Sequence, residues 1–221
     1  MSITRTLHHD RASRPRLSRL ACCRVCALAA LLVWGCGGDD GTTGPTDPAI
    51  AKTLEAWAQF EAGDLTAAKT TFRDAISVSN GYADAHNGLG WSLALLDSLA
   101  ESQGAFVAAI NNNPPNAEPW AGRAFVRAEL SSSDLDDALT DAGIALGRAP
   151  RFVFSHDPDV DWRDLRLLRA QLFFELGEID SSAAEVDSLG GFLPSPSDPA
   201  FADSLLREIE RLRTVVSPPV L

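Results

Sequence analysis

From Ile50 onward, apolar residues recur at intervals of three and four in short blocks, and each block stops at a polar or glycine-bearing break, the signature of successive amphipathic helices. The first two blocks run from about Ile50 to Ala62 and from Thr66 to Ser77, with Gly63-Asp64 between them. Gly63 suits the left-handed residue that ends a helix, and Asp64 has the side chain to cap the next one. Two such helices, tightly joined, form an antiparallel hairpin that cannot bury its apolar face alone. A like hairpin stacked on the first would bury it, so the pattern predicts a repeat.

A slide of 34 residues aligns Ala56 with Gly90, Trp57 with Trp91, Leu65 with Leu99, Phe72 with Phe106, Ala75 with Ala109, Ile76 with Ile110 and Asn80 with Pro114. A second slide of 34 carries Gly90 to Ala124 and Trp91 to Phe125. Two extra residues then enter near Ser131-Ser132-Ser133, so Phe106, Ala109 and Pro114 meet Ala142, Ala145 and Pro150 at a shift of 36. An insertion in a turn costs little. A fourth, more divergent unit runs from about Trp162 to Gly190, with Ala170, Phe173, Gly177 and Val186 in matching places. Beyond it, the run from Leu193 to Pro199 breaks the chain and offers Asp198 as cap and Pro199 as first-turn residue of a last helix. Phe201, Leu205, Ile209, Leu212 and Val216 form one stripe there, the cover that a terminal repeat needs.

These units resemble the tetratricopeptide repeat, a helix-turn-helix with small residues where the helices touch and a proline closing the second helix. Leu89, Gly90, Leu93, Phe106, Ala109 and Pro114 of the second unit fall on that pattern. So do Ala56, Gly63, Ala68, Phe72 and Ala75 of the first unit, and Ala124, Ala138, Ala145 and Pro150 of the third. The resemblance covers about residues 49–190 and implies an all-α fold. The expected architecture is an α-solenoid of about four helical hairpins over 49–192, with a capping helix and tail over 193–221. The runs Asn87-Gly88-Leu89-Gly90-Trp91 and Val153-Phe154-Ser155-His156-Asp157 are similar to those of bacterial tetratricopeptide lipoproteins.

Towards the amino terminus the pattern changes. Arg5, Arg11, Arg14, Arg16 and Arg19 stand against one acid, Asp10, before an apolar run from Val25 to Trp34, which is the layout of a secretory signal. At about half of the roughly 20 residues that cross a hydrocarbon core, the run is short for a permanent span. It ends in Val33-Trp34-Gly35-Cys36, which resembles the lipobox of bacterial lipoproteins, although Trp34 stands where that family carries a small or aliphatic residue. The resemblance implies a signal peptide over 1–35, lipidation at Cys36 and a flexible tether over 36–48. The alternative is a plain signal peptide with an unrelated cysteine.

Cys22, Cys23 and Cys26 lie in the segment to be removed, so the mature chain would keep Cys36 alone, with no internal disulfide and no cysteine zinc site. Removal also takes six arginines and Asp10, lowering Lys+Arg from 19 to 13, Asp+Glu from 30 to 29, and net charge from −11 to −16. So acidic a surface repels phosphate backbones, which sets nucleic acid aside as a partner and leaves membrane contact to the acyl chains.

In the tetratricopeptide family the first helix of each hairpin lines a concave face, where partners bind as extended peptides or helices. Through the register above, the resemblance places Trp57, Trp91, Phe125 and Gln171 at one level of that face. Phe60, Ala94, Ala128 and Phe174 come one turn on, with Glu61, Leu95, Glu129 and Glu175 beside them and Asn87 and Asp84 nearer the mouth. Aromatics flanked by carboxylates suit a peptide with apolar anchors and basic flanks. The same stripe also reads as packing between neighbouring helices.

The connection before the fourth unit carries acids at Asp157, Asp159 and Asp161, spaced like the start of a calcium loop. Trp162 stands where such a loop needs its turning glycine, and Leu168 where it needs the bidentate glutamate. Helix capping by Asp161, with Asp164 in the first turn, accounts for the same residues. His156 is placed to tie this loop to the preceding hairpin. Catalysis has little to draw on: His86 and His156 are the histidines beyond the signal, no serine sits in a G-x-S-x-G elbow, and no glycine loop cradles phosphate.

The expectation is a lipid-anchored, non-catalytic adaptor or scaffold of the bacterial cell envelope, without cofactor, that holds another envelope protein or peptide in its concave groove. Gly37 after the lipidated cysteine, in place of aspartate, points to the outer membrane, facing periplasm or surface. An accessory lipoprotein that binds a small ligand or glycan for uptake, through Trp57 and Trp91, is the alternative. Mass spectrometry of the native amino terminus tests export, cleavage and acylation together. The expected species begins at an acylated Cys36; a chain that retains residues 1–35, or starts at an unmodified cysteine, removes the anchor.

Overall fold

The computed structural model describes residues 47–216, so the expected signal segment, Cys36 and nearly all of the tether lie outside the described residues. Within them, nine α-helices follow one another: α1 (Pro48–Glu61), α2 (Leu65–Val78), α3 (Ala83–Leu95), α4 (Leu99–Asn112), α5 (Glu118–Leu130), α6 (Leu135–Arg148), α7 (Trp162–Glu175), α8 (Ile179–Ser188) and α9 (Phe201–Val216). Among the described residues the one extended pairing is an isolated antiparallel bridge, Val153 to Asp161, and no helix is long and apolar enough to cross a membrane.

Local chemistry sets the helix ends. Asp47 caps α1, its carboxylate accepting from the Ala49 N–H at 2.8 Å, and Pro48 occupies the first turn. Asp64 caps α2 by accepting from the Ala67 N–H at 3.0 Å. The turns inside the first and fourth hairpins are made by Gly63 (φ 82°) and Gly177 (φ 79°). In the second hairpin the position 34 residues after Gly63 is Asp97, which takes φ 59°; aspartate visits the left-handed region more readily than most residues with a Cβ. The two-residue insertion of the third hairpin is absorbed as a 3-10 turn, Ser132–Asp134, ahead of α6.

Consecutive helices pair as the four hairpins α1/α2, α3/α4, α5/α6 and α7/α8, and each packs on the next through α2 on α3, α4 on α5 and α6 on α7. The first helices α1, α3, α5 and α7 also touch one another in order, whereas the second helices do not. A row that is closed along one edge and splayed along the other is curved, with α1, α3, α5 and α7 on the inside.

How closely the hairpins approach is set by rings seated on glycines. Phe72 of α2 lies over Gly88 of α3, where an added Cβ would come within 2.1 Å of the ring. One period later, Phe106 of α4 lies between Gly90 of α3 and Gly122 of α5, where a Cβ would come within 2.6 and 2.3 Å. Both rings are fully buried. At the third junction the register puts Ala142 and Leu168 in these places, both buried, so the large side chain passes from the outer helix to the inner one.

Charges clip the later hairpins. Asp141 of α6, only 1 % exposed, accepts from Arg123 Nε (2.8 Å) and Nη2 (2.7 Å) and from Arg127 Nη1 (2.9 Å), all from α5. Glu185 of α8 does the same with Arg166 and Arg169 of α7. A buried carboxylate is tolerated only when satisfied in this way. The last hairpin is covered by α9, whose Leu205, Ile209 and Leu212 form a second core with Leu167 and Ala170 of α7 and Val186 of α8. The remaining apolar interior is continuous from Ala56 to Leu172.

Seats this tight leave no room for a methyl group. Gly88→Ala and Gly122→Ala should each lower unfolding free energy in urea by about 1–3 kcal/mol through overpacking. Gly104→Ala, with open space above it in α4, should be neutral or stabilise by up to about 1 kcal/mol.

Candidate functional site: the concave face and its own occupant

Trp57, Phe60, Trp91 and Phe125 stand on the inner helices, at the levels the register assigns them, and all are buried, at 3 %, 0 %, 2 % and 3 % exposure. The chain itself covers them. Helices α2 and α3 are joined by residues 79–82, and α4 and α5 by 113–117, but α6 and α7 are joined by 149–161. This longer connection folds back over the inside of the first three hairpins as a narrow finger.

Two backbone bonds close the finger: Phe154 N–H donates to Val160 O at 2.9 Å, and Trp162 N–H to Phe152 O at 2.8 Å. Its residues then alternate: Phe152 and Phe154 are buried, Val153 and Ser155 exposed. The Phe154 ring stacks on Trp91 (4.3 Å between centroids) and meets Trp57 and Phe60 edge-on (6.0 Å each). His156 lies flat on Trp57, 3.5 Å between centroids and 4° between planes, and its Nδ1–H donates to Glu61 Oε1 at 2.8 Å. Ser155 donates both its N–H (3.1 Å) and its hydroxyl (2.6 Å) to Glu118 Oε1, while Glu118 Oε2 accepts from Asn87 Nδ2 at 2.8 Å. Thus α1, α3 and α5 together hold three successive finger residues.

The open aromatic groove expected from the sequence is corrected accordingly. Its aromatics are capped in cis, and His156 reaches the first hairpin rather than the one just before it. Asn87 is fully buried. Glu129 is half-buried near the end of α5. Gln171 and Phe174 belong elsewhere: the Gln171 amide oxygen accepts from the Arg213 guanidinium of α9, and Phe174 packs on the core beneath that helix. A register across the long connection fixes the level of a residue on α7 but not which neighbour covers it. The Trp57 and Trp91 pair, proposed as a small-ligand platform, is filled by His156 and Phe154.

Asp157, Asp159 and Asp161 do not converge, and among the described residues no three His, Cys, Asp or Glu side chains gather as a metal would require. Asp161 instead caps α7. Its carboxylate accepts from Arg163 N–H at 2.7 Å, and Asp164 Oδ2 accepts from the Asp161 N–H at 2.8 Å. Glu118 and Phe152 were not singled out from the sequence, and Phe154 was noted only within the run from Val153 to Asp157, without a role. The available signal was the short apolar run Phe152-Val153-Phe154, set between Pro150 and Pro158.

Three carboxylates, Glu61, Asp84 and Glu118, stand around the finger tip. Asp84 Oδ2 accepts from Trp57 Nε1 at 3.1 Å. Burial pushes its carboxyl above the ordinary value; the Trp57 hydrogen bond and the nearby His156 pull it back, and Glu118 raises it further. The arrangement can hold an extended chain carrying a ring and a flat basic group.

No protein-family model matches the sequence, and no curated protein does. Solved structures do. YrrB, described as a tetratricopeptide-repeat protein with an unusual peptide-binding site, superposes with a TM-score of 0.57 at 15 % identity, over 79 % of this chain and 80 % of its own. A thermophilic tetratricopeptide-repeat protein of Thermus thermophilus gives 0.51 at 17 % identity over 75 % and 84 %. The chain has the tetratricopeptide-repeat fold. MamA from Desulfovibrio magneticus, from residue 41 to its end, gives 0.54 at 11 % identity over 66 % and 75 %. Against the repeat's short connections, the finger is the departure that marks this tetratricopeptide array.

A raised Asp84 pKa means that the folded chain binds this proton more tightly than the unfolded one, so its contribution is present at low pH and is lost as pH rises through the folded value. Asp84→Asn keeps an oxygen for Trp57 and removes the charge. Urea unfolding between about pH 4 and about pH 7 should show a shallower loss of stability with rising pH in Asp84→Asn than in wild type, while Asp84→Ala should cost about 1 kcal/mol through the orphaned indole N–H.

Proposed function

We propose that this protein is a non-catalytic adaptor of the bacterial cell envelope, anchored by lipid at Cys36, which holds another envelope protein through the concave side of its helical array. The fold is one of protein interaction, and its inner surface already accommodates an extended chain: Phe154, Ser155 and His156 are each met by complementary groups from different hairpins. That observation supports a peptide or an extended protein segment as partner over a small ligand, because the tryptophans a small ligand would need are covered.

A photo-crosslinking residue tests this in the native envelope. Placed at Glu61, exposed beside the finger tip on α1, it should give a discrete adduct; placed at Thr70, exposed on the outer helix α2, it should not. Cys36→Ser should release the protein from the membrane and reduce the Glu61 adduct. Adducts of equal yield from both faces, or none from Glu61, would refute the concave reading.

A further inference from the structure

We infer that Phe154-Ser155-His156 is a displaceable stand-in for the partner, and that the segment taken in trans carries an aromatic residue, a hydroxyl residue and a flat basic group in direct succession. This rests on the adaptor reading of the concave face and adds the chemistry of its partner. Each tip residue has a receptor outside its own loop. Phe154 has Trp57, Phe60 and Trp91; Ser155 has Glu118; His156 has the Trp57 face and Glu61. The base of the finger is closed by its own bond, Trp162 N–H to Phe152 O, and α6 packs on α7 directly, so the tip can lift while that junction holds.

Two further groups point to an occupant that fits better than the chain's own. Asn87 Oδ1 and Trp91 Nε1 are buried beside the seat with no hydrogen-bond partner, on residues 0 % and 2 % exposed. A buried donor or acceptor left unpaired is costly, and an incoming backbone or side chain that reaches either gains what the finger forgoes. Charge gives the remaining discrimination. Glu61 on α1, Asp84 on α3 and Glu118 on α5 surround a tip whose one basic group is the His156 imidazole. A guanidinium in its place stacks on Trp57 equally well and carries its charge at every pH. A segment with arginine at this position should therefore outcompete the finger, and one with glutamate should not.

The test uses the full chain in detergent with synthetic peptides of residues 151–157, the His156 position being histidine, arginine or glutamate. In wild type, the His156 ring protons, shielded by Trp57, should move toward exposed-imidazole positions as the arginine peptide is added, and at least about tenfold more glutamate peptide should be needed for any shift. Phe154→Ala/His156→Ala empties the seat and should bind the histidine peptide at least about tenfold more tightly than wild type, with a rise in melting temperature. His156→Ala alone, which leaves the core ring in place, covers the case in which the double variant does not fold. The inference is overturned if no peptide shifts His156 and neither variant binds, or if the glutamate peptide binds as well as the arginine one. Glu61 adducts in the envelope together with an unresponsive peptide series would leave the adaptor reading standing and remove this one.

Discussion

A two-helix hairpin carries more apolar surface than its own helices can cover, and every larger feature of this molecule answers that excess. Phe72 and Phe106 pass the load from hairpin to hairpin by seating on glycines. Helix α9 takes it up at the carboxy-terminal end. On the inside of the curve the finger covers Trp57, Phe60 and Trp91. A buried aromatic or leucine side chain is worth about 1.5–3 kcal/mol, whereas an exposed pair such as Arg73 with Glu101 is worth about 1 kcal/mol at most. Rings and the two buried carboxylate clips at Asp141 and Glu185, not the exposed ion pairs, therefore hold an array whose chain has a net charge of −11.

What was legible in the sequence was what is local or periodic. The 34-residue offset is periodic, while the caps at Asp64 and Asp161, the turn at Gly63 and the stripe of α9 depend on residues within a few turns of one another, and each is where the pattern puts it. The occupant of the concave face was not legible, because the decisive bond joins His156 to Glu61 across 95 residues and lies in the connection where the period lapses. Gln171 and Phe174 were misplaced for a related reason. Their level on α7 follows from the repeat, but α9, which packs beside them, is not part of it.

The chemistry of the seat was nevertheless readable. Aromatics beside carboxylates call for an apolar anchor and a basic neighbour, and Phe154 with His156 supplies both. A segment already attached to the receptor is held at high effective concentration and gives up little freedom on docking. A modest fit therefore suffices in cis, and the buried unpaired atoms of Asn87 and Trp91 can persist. Covering the rings in this way also keeps a contiguous apolar patch out of water.

The reach of the finger alters how the array must come apart. Stacked repeats in general contact only their neighbours, so an end unit can fray while the rest stays folded. Here the tip of a connection between the third and fourth hairpins is clasped by Trp57 and Glu61 of the first. The amino-terminal hairpin cannot loosen without lifting the tip, and the tip cannot lift without uncovering α1, α3 and α5. A chain assembled from local modules thereby acquires one long-range tie between its first hairpin and the connection after its third.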